Sequence, residues 1–249
     1  MADPQPRRES AGIGPNVDSI VIKVISYNLR KNHASGELVA LAEESEADVL
    51  CLQEADTTAL PESIADLRLA DSTKRNRLGL ALYYREQRFS NRSTQAFALK
   101  KSLHDRVLRP AHERLIGTVL VDAVDDRQLI VASFHAAPLT ASNSLRRSQI
   151  RAAHEALQHM GDRLPTLMVG DYNYPWFTSN LSEKVQANGY ELTLSDKRTY
   201  TRYRFVKGHF DFATSIGMAI DHVETMPSGA SDHNPILVTA SYLTQVPPD

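Results

Sequence analysis

"MVGDYNYPW", residues 168–176, sets an acid, an amide and three aromatics directly behind an apolar run. Thr166 to Val169 reads as a buried strand, and Gly170 marks its end. In extended backbone, side chains two residues apart point the same way. Asp171 and Asn173 are therefore expected to project together from the strand end. A carboxylate only accepts hydrogen bonds, whereas an amide both donates and accepts. The pair is suited to holding one polar ligand from two points.

Working outward, the same arrangement recurs. "SIVIKVISYNLR" alternates apolar and polar, is rich in β-branched residues, and reads as a strand ending near Tyr27, just before Asn28. "VLCLQE" is a strand closed by Glu54, and "QLIVASFH" a strand closed by His135. "LGLALYYR", "TQAFALK" and "LIGTVLVDAV" add strands, with Asp125 and Asp126 as a hairpin turn. "GHFDFATSI", "IDHVETM" and "NPILVTASY" are short strands; Asp211 lies in the first, and Asp232 and His233 precede the last. Helices are expected over "GELVALAEESEAD", "SNSLRRSQIRAAHEALQHM" and "SNLSEKVQANG", with a short one at "PESIADL". In the long helix, Leu145, Ala152, Ala156 and Met160 supply the apolar stripe with Ala153 and Leu157 beside them; Arg146, Arg147 and Arg151 read as helix surface that, following the His135 loop, could meet a polyanion, and His154 and His159 read as solvated. Many strands with few helices, several joined as hairpins, indicate two packed mixed sheets and not a regular doubly wound alternation.

The unusual polar residues thus collect at strand ends, where one rim of a sheet core can carry a site. Glu54, Asp171, Asp211 and Asp232 cannot all ionise cheaply in one cleft. At about 4 Å each like-charged pair costs on the order of 4 kcal/mol at an effective dielectric of ~20. A divalent cation removes that penalty. Oxygen and amide donors without Cys suit Mg²⁺ or Mn²⁺, and no His cluster at zinc spacing is present. Mg²⁺ takes one or two carboxylates plus substrate phosphate oxygens, so the set reads as a phosphoryl site. Extended backbone at Asp232 and His233 would send their side chains apart, leaving Asp232 for the metal and Asp211 as the best carboxylate to orient His233.

Composition sets outer bounds. The chain has 249 residues, 42% hydrophobic and 23% charged, which is ordinary for a globular protein of one large domain or two small ones. No stretch approaches the roughly 20 apolar residues of a membrane span, and the Pro- and charge-rich residues 1–18 read as a disordered tail without a secretory signal, ahead of a domain over residues 19–244. The single Cys51 sits in an apolar run and reads as a buried, inert thiol in a cytoplasmic protein. The net charge of −2 hides asymmetry. Residues 1–67 carry 5 Lys/Arg against 12 Asp/Glu, and residues 68–114 carry 12 against 4. "SDKRTYTRYRFVKGH" adds five cations and one acid. A polyanionic partner, nucleic acid among them, fits this distribution.

At "SYNLR", "LQE", "SFHAAP", "GDYN", "HFDFA" and "SDHNP" the sequence resembles the endonuclease/exonuclease/phosphatase family, the DNase-I-like metal-dependent phosphoesterases. The stretches occur in the family's order. The resemblance implies an α/β (α+β type) four-layer αββα sandwich of two packed mixed β-sheets with the site at one end. It implies that Glu54 ligates the cation with Asn28 beside it and Asp232 as a second acid on the metal side. It implies that Asp171 aligns or deprotonates the attacking water, that Asn173 holds a phosphate oxygen, that His135 and His233 meet the phosphate, and that Asp211 orients His233. "SFHAAP" resembles the pancreatic-type deoxyribonucleases and the lipid phosphodiesterases. "LQEADTTAL" lacks the Thr-Lys usual in abasic-site endonucleases, which makes repair of abasic DNA a minority reading.

The expected chemistry is metal-assisted in-line attack of water on phosphorus, with Mg²⁺ or Mn²⁺ as cofactor. Arg114, opening a strand, and Trp176, two residues beyond Tyr174, are expected to bind substrate, Trp176 as a platform for a base or ring. The substrate is a phosphate ester, with nucleic acid favoured by the cationic segment. A phospholipid head group or small phosphate ester is the alternative, and a binding module that has lost the chemistry is a third reading. No obligate protein partner is evident.

Overall fold

The structure, a computed structural model, describes residues 21–74, 78–99, 113–174, 178–202 and 208–243. The tail expected over residues 1–18, Trp176, and the cations at 75–77 and 100–112 lie outside the described residues.

The chain order is β1 (Val21–Asn28), α1 (Leu38–Ser45), β2 (Val49–Ala55), β3 (Ser63–Ile64), β4 (Leu67–Ser72), β5 (Gly79–Arg85), β6 (Phe89–Ala98), β7 (Glu113–Asp122), β8 (Arg127–His135), α2 (Asn143–Met160), β9 (Thr166–Asp171), α3 (Thr178–Gln186), β10 (Glu191–Leu194), β11 (Asp211–Ile216), β12 (Met218–Thr225) and β13 (Ile236–Tyr242). One sheet has the order β12-β13-β1-β2-β5-β4-β3, the other β10-β11-β9-β8-β7-β6. Each has one parallel pair, β1/β2 and β8/β9, and each such pair is joined through a helix, as a parallel crossover requires.

Period-two alternation sorts the side chains into layers. Ile22 and Val24 of β1, Cys51 of β2, Val131 of β8 and Leu167 and Val169 of β9 share one apolar cluster between the sheets. Ile25, Tyr27 and Leu50 face the other way and pack with Leu38 and Ala42 of α1. Met168 and Phe134 pack with Ile150, Ala153 and Leu157 of α2 and Leu181 and Val185 of α3. The layers therefore run helix, sheet, sheet, helix. Cys51 is fully buried, and burial raises its thiol pKa, as an inert core cysteine requires.

Toward one end, the inward-facing rows change character. On β1 the row Ile22, Val24 continues as Ser26 and Asn28; on β8, Val131 is followed by Ser133 and His135; on β9, Leu167 and Val169 are followed by Asp171. His135, Asp171 and Asp211 stand side by side across β8, β9 and β11. Beneath them a buried polar link joins the sheets: Gln53 Nε2 donates to Ser133 Oγ (2.9 Å) and Ser26 Oγ (3.1 Å), and Ser133 Oγ donates to the Leu52 carbonyl (3.1 Å).

Three sequence expectations require correction. "PESIADL" is no helix; it enters the short hairpin β3–β4, turned by a left-handed Ala65 (φ 50°). Gly170 does not end its strand, which runs on through Asp171. Its φ of 151° suits only glycine, and an added Cβ would lie 1.9 Å from the Phe134 carbonyl oxygen. On α2 the buried side is Arg146, Gln149, Ile150, Ala153, His154 and Leu157; of the expected stripe, Ala153 and Leu157 are buried and Ala152, Ala156 and Met160 flank them, while three polar residues find partners inside.

Candidate active site

Parallel strands end, and their antiparallel neighbours begin, at the same rim of each sheet. That rule gathers Asn28, Glu54, His135 and Asp171 from strand ends with Asp211 from a strand start. The loop before β13 brings Asp232 and His233. A cavity of about 650 Å³ is lined by Asn28, Glu54, His135, Asp171, Asn173, Asp232 and His233 together. Asp211 stands behind His233 and lines none of it.

Asp171 is the hub. Its side chain is 2% exposed. Oδ2 accepts from Asn28 Nδ2 (3.0 Å) and Asn173 Nδ2 (3.1 Å), and Oδ1 accepts from the Asn173 backbone N–H (2.9 Å). His135 Nε2 and His233 Nε2 stand 3.6 and 3.7 Å from Oδ2. Asn173 reaches Asp171 from a left-handed turn (φ 49°), not from extended backbone. Burial and the nearby Asp211 charge raise the Asp171 pKa to about 7, against the lowering effect of His233 and the two asparagines.

His233 Nδ1 donates to Asp211 Oδ2 at 2.8 Å, the pairing expected from sequence. Burial alone would push this imidazolium down, but the Asp211 and Asp171 charges hold it up at about 10. Asp211 is itself fixed by Thr199, whose Oγ1 accepts from the Asp211 N–H (3.1 Å). Tyr200 and Phe210 wall the histidine, with ring centroids 5.0 and 5.9 Å away. Backbone pairing of Thr199 with Asn234 and of Thr201 with Asp232 anchors the His233 loop.

Glu54 would point outward by alternation, with Leu50 and Leu52. A register shift after Leu52 and a left-handed φ of 52° turn it to the cavity instead. Its Oε2 accepts from the Lys31 N–H (2.9 Å). Asp232 lies 3.8 Å from Arg30 Nε and 3.6 Å from an Arg202 Nη. Asn28 is a bridge more than a ligand: its amide nitrogen goes to Asp171 and its oxygen accepts from the Arg30 N–H (3.0 Å). Asp171, Asp211 and His233 present ligand atoms within 4.8 Å of one another and form a buried group that could hold a metal. The Glu54 and Asp232 carboxylates line the same cavity and could also serve as hard oxygen donors of the kind Mg²⁺ and Mn²⁺ prefer.

Other expected residues fall elsewhere. Arg114 is buried and donates to the carbonyls of His135 (3.1 Å) and Ala136 (2.9 Å), so it braces the His135 strand end and does not line the cavity. Arg68, Arg85 and Arg88 of the cationic segment pair with Glu86, Asp66, Asp48 and Asp122. Arg146 is buried against the Pro138 carbonyl (2.7 Å), because the chain before α2 folds back over it. His154 is 1% exposed, stacked on Tyr190 with Nε2 at 3.0 Å from Thr214 Oγ1. Sequence reasoning missed Arg30, Lys31, His33, Tyr200, Phe210 and Arg202 as lining residues. Arg30 and Lys31 lie two and three residues after Asn28, which was a usable signal; Tyr200 and Arg202 lie 33 and 30 residues before the His233 and Asp232 they contact, and spacing carried none.

The model of the Endonuclease/Exonuclease/phosphatase family matches residues 16–233. The chain belongs to the endonuclease/exonuclease/phosphatase family. Its members are phosphoester hydrolases, and this chain is an enzyme of that class. No curated protein sequence matches. Among solved structures, a family protein from Bacteroides thetaiotaomicron is 14% identical with TM-score 0.73, over 92% of this chain and 100% of that one. The D. rerio TDP2 complex with a single-strand DNA product is 13% identical with TM-score 0.71, over 89% and 99%. A mannosyl-6-phosphatase from B. thetaiotaomicron is 14% identical with TM-score 0.71, over 89% and 100%. At these identities the likeness establishes the DNase-I-like fold. Among the described residues no helix is long and apolar enough to cross a membrane.

Proposed function

We propose that the chain is a divalent-metal-dependent phosphodiesterase, acting on nucleic acid through in-line attack of water. The observation that carries this reading is the convergence of Asp171 with His135 and His233, at 3.6 and 3.7 Å, on a cavity also lined by Glu54 and Asp232. Glu54 and Asp232 would hold the cation, Mg²⁺ or Mn²⁺, with Asn28 beside them. When bound, such a cation polarises the phosphoryl group and stabilises the leaving oxygen.

The remaining work belongs to the chain. Asp171 aligns the attacking water and takes its proton at Oδ2, and Asn173 fixes the carboxylate and meets a phosphate oxygen. His233, kept cationic and oriented by Asp211, neutralises charge growing on the non-bridging oxygens, and His135 assists from the opposite wall. Tyr200 and Phe210 keep bulk water from the imidazolium. Arg114 serves by positioning His135, and Trp176 is assigned to stacking on a base. The diesterase reading is supported by the TDP2 relative, whose structure holds a single-strand DNA product. The reading places a single domain over residues 19–244 in the cytoplasm, with residues 1–18 as a tail.

A second reading, hydrolysis of a phospholipid head group or small phosphate ester, is favoured by the cavity volume of about 650 Å³, within the range of small-molecule sites. Turnover of bis-aryl and mono-aryl phosphates with Mg²⁺ and Mn²⁺ separates the two. The diesterase reading expects chelator-sensitive cleavage of the bis-aryl ester and of plasmid DNA, both lost in Asp171→Ala. Cleavage of the mono-aryl ester alone would contradict it.

A further inference from the structure

Beside the cavity, α2 and α3 enclose a second depression of about 400 Å³, lined by Arg147, Arg151 and Lys184 with Ser144, Ser148 and Asn188 between them. No carboxylate among the described residues lines it. Arg147 Nη1 donates to a neutral partner, Tyr174 Oη, at 2.8 Å. Lys184 makes no ion pair among the described residues. Arg151 lies 3.6 Å from Glu155, but both side chains are more than half exposed, so the pair is weak and screened. The groove therefore carries positive charge that the fold does not neutralise.

Its position gives that charge a use. Thr140 lines the catalytic cavity, and Ser144, four residues on, lines the groove. Asn173 lines the cavity, and the next residue, Tyr174, holds Arg147. The two linings are linked through residues 140–144 and through Asn173 and Tyr174, so a ligand that occupies both must be chain-like. Arg147 and Arg151 succeed each other by about one helical turn, ~5.4 Å of rise, on the scale of the step between phosphates of an extended strand. The hydroxyls of Ser144 and Ser148 and the Asn188 amide are donors suited to phosphate and sugar oxygens, contacts that position a strand without reading its bases.

We propose that the α2–α3 groove binds the sugar-phosphate backbone of a single-stranded nucleic acid whose scissile phosphate lies in the cavity. The inference rests on the phosphodiesterase reading and adds the substrate class and its path.

The test uses the full chain and the double variant Arg151→Glu/Lys184→Glu, both outside the catalytic machinery. Binding of a labelled single strand of ~12 nucleotides is followed by fluorescence anisotropy in chelator across a salt series, and bis-aryl phosphate turnover is followed with Mn²⁺. Expected are a loss of oligonucleotide affinity of tenfold or more, a log–log salt slope smaller by about 1.4 for two lost phosphate contacts, and bis-aryl turnover within twofold of the parent. The milder Arg151→Gln/Lys184→Gln should fall between. Unchanged affinity and slope would overturn the proposal, as would loss of binding to anionic vesicles with the oligonucleotide unaffected. Should the parent fail to turn over the bis-aryl ester, the phosphodiesterase reading fails by itself, and the anisotropy series still decides whether the groove binds the strand.

Discussion

At the scale of the residue, the account turns on how Asp171 is kept both buried and useful. Two asparagines and two histidines surround one carboxylate, and each makes a separate demand on it. Replacing His233 by Ala removes the cation that faces the phosphate, and turnover should fall by about 10²–10³-fold with the thermal midpoint little changed; loss of folding instead would assign the residue to structure. His154 supplies a second residue-level prediction, about stability. Burial lowers its pKa from 6.5 to about 3. The folded value lies below the unfolded one, so the unfolded chain takes up the proton first. Stability from the neutral imidazole is full above about pH 6.5 and is lost as pH falls from there toward 3. Asp171 titrates in the same range with the opposite sign, so the parent must be compared with His154→Phe. Below pH 6.5 the urea-derived stability of the parent should drop relative to the variant by up to about 1.4 kcal/mol per pH unit; parallel curves would refute the assignment. The site residues were legible because polar side chains closing apolar strands have few other uses. His154 and Arg146 were not, since a polar residue on an amphipathic helix reads as solvated until its buried partners, Thr214 and the Pro138 carbonyl, are known.

At the scale of the element, two backbone irregularities aim the acids. The bulge in β2 turns Glu54 inward, and Gly170 lets β9 press against Phe134 while carrying Asp171 to the rim. Gly170→Ala should cost about 3 kcal/mol or more, through both its φ and the clash with a backbone oxygen, measured as a lowered urea midpoint with an unchanged slope. A variant as stable as the parent would show that the strand tolerates a side chain there. The strands themselves were readable from alternation. β3–β4 was not, because "PESIADL" carries helix-like spacing over too few residues for period to decide, and the hairpin depends on pairing of β4 with β5. The buried side of α2 was only partly readable, because three of its buried positions are polar.

At the scale of the molecule, the site exists only because two sheets meet. Gln53, Ser26 and Ser133 tie them together directly below it. Gln53→Leu leaves the buried Ser26 hydroxyl unpartnered and removes the donor to Ser133 Oγ, and should destabilise by about 1–3 kcal/mol, with activity falling as the sheets lose their common register; chemical denaturation and bis-aryl turnover on one preparation check both. The sandwich was legible from the order of motifs along the chain. The charge asymmetry was a poorer guide, since Arg68, Arg85 and Arg88 of the cationic segment are spent in ion pairs. The central claim is that Glu54 and Asp232 hold a hard cation beside an Asp171–His233 centre that does not. Calorimetric Mn²⁺ titration of the parent, Glu54→Gln and His233→Ala tests it most directly. The account predicts weakened cation binding in Glu54→Gln and parent-like binding in His233→Ala, with turnover lost in both. Equal cation affinity in the two variants would contradict it.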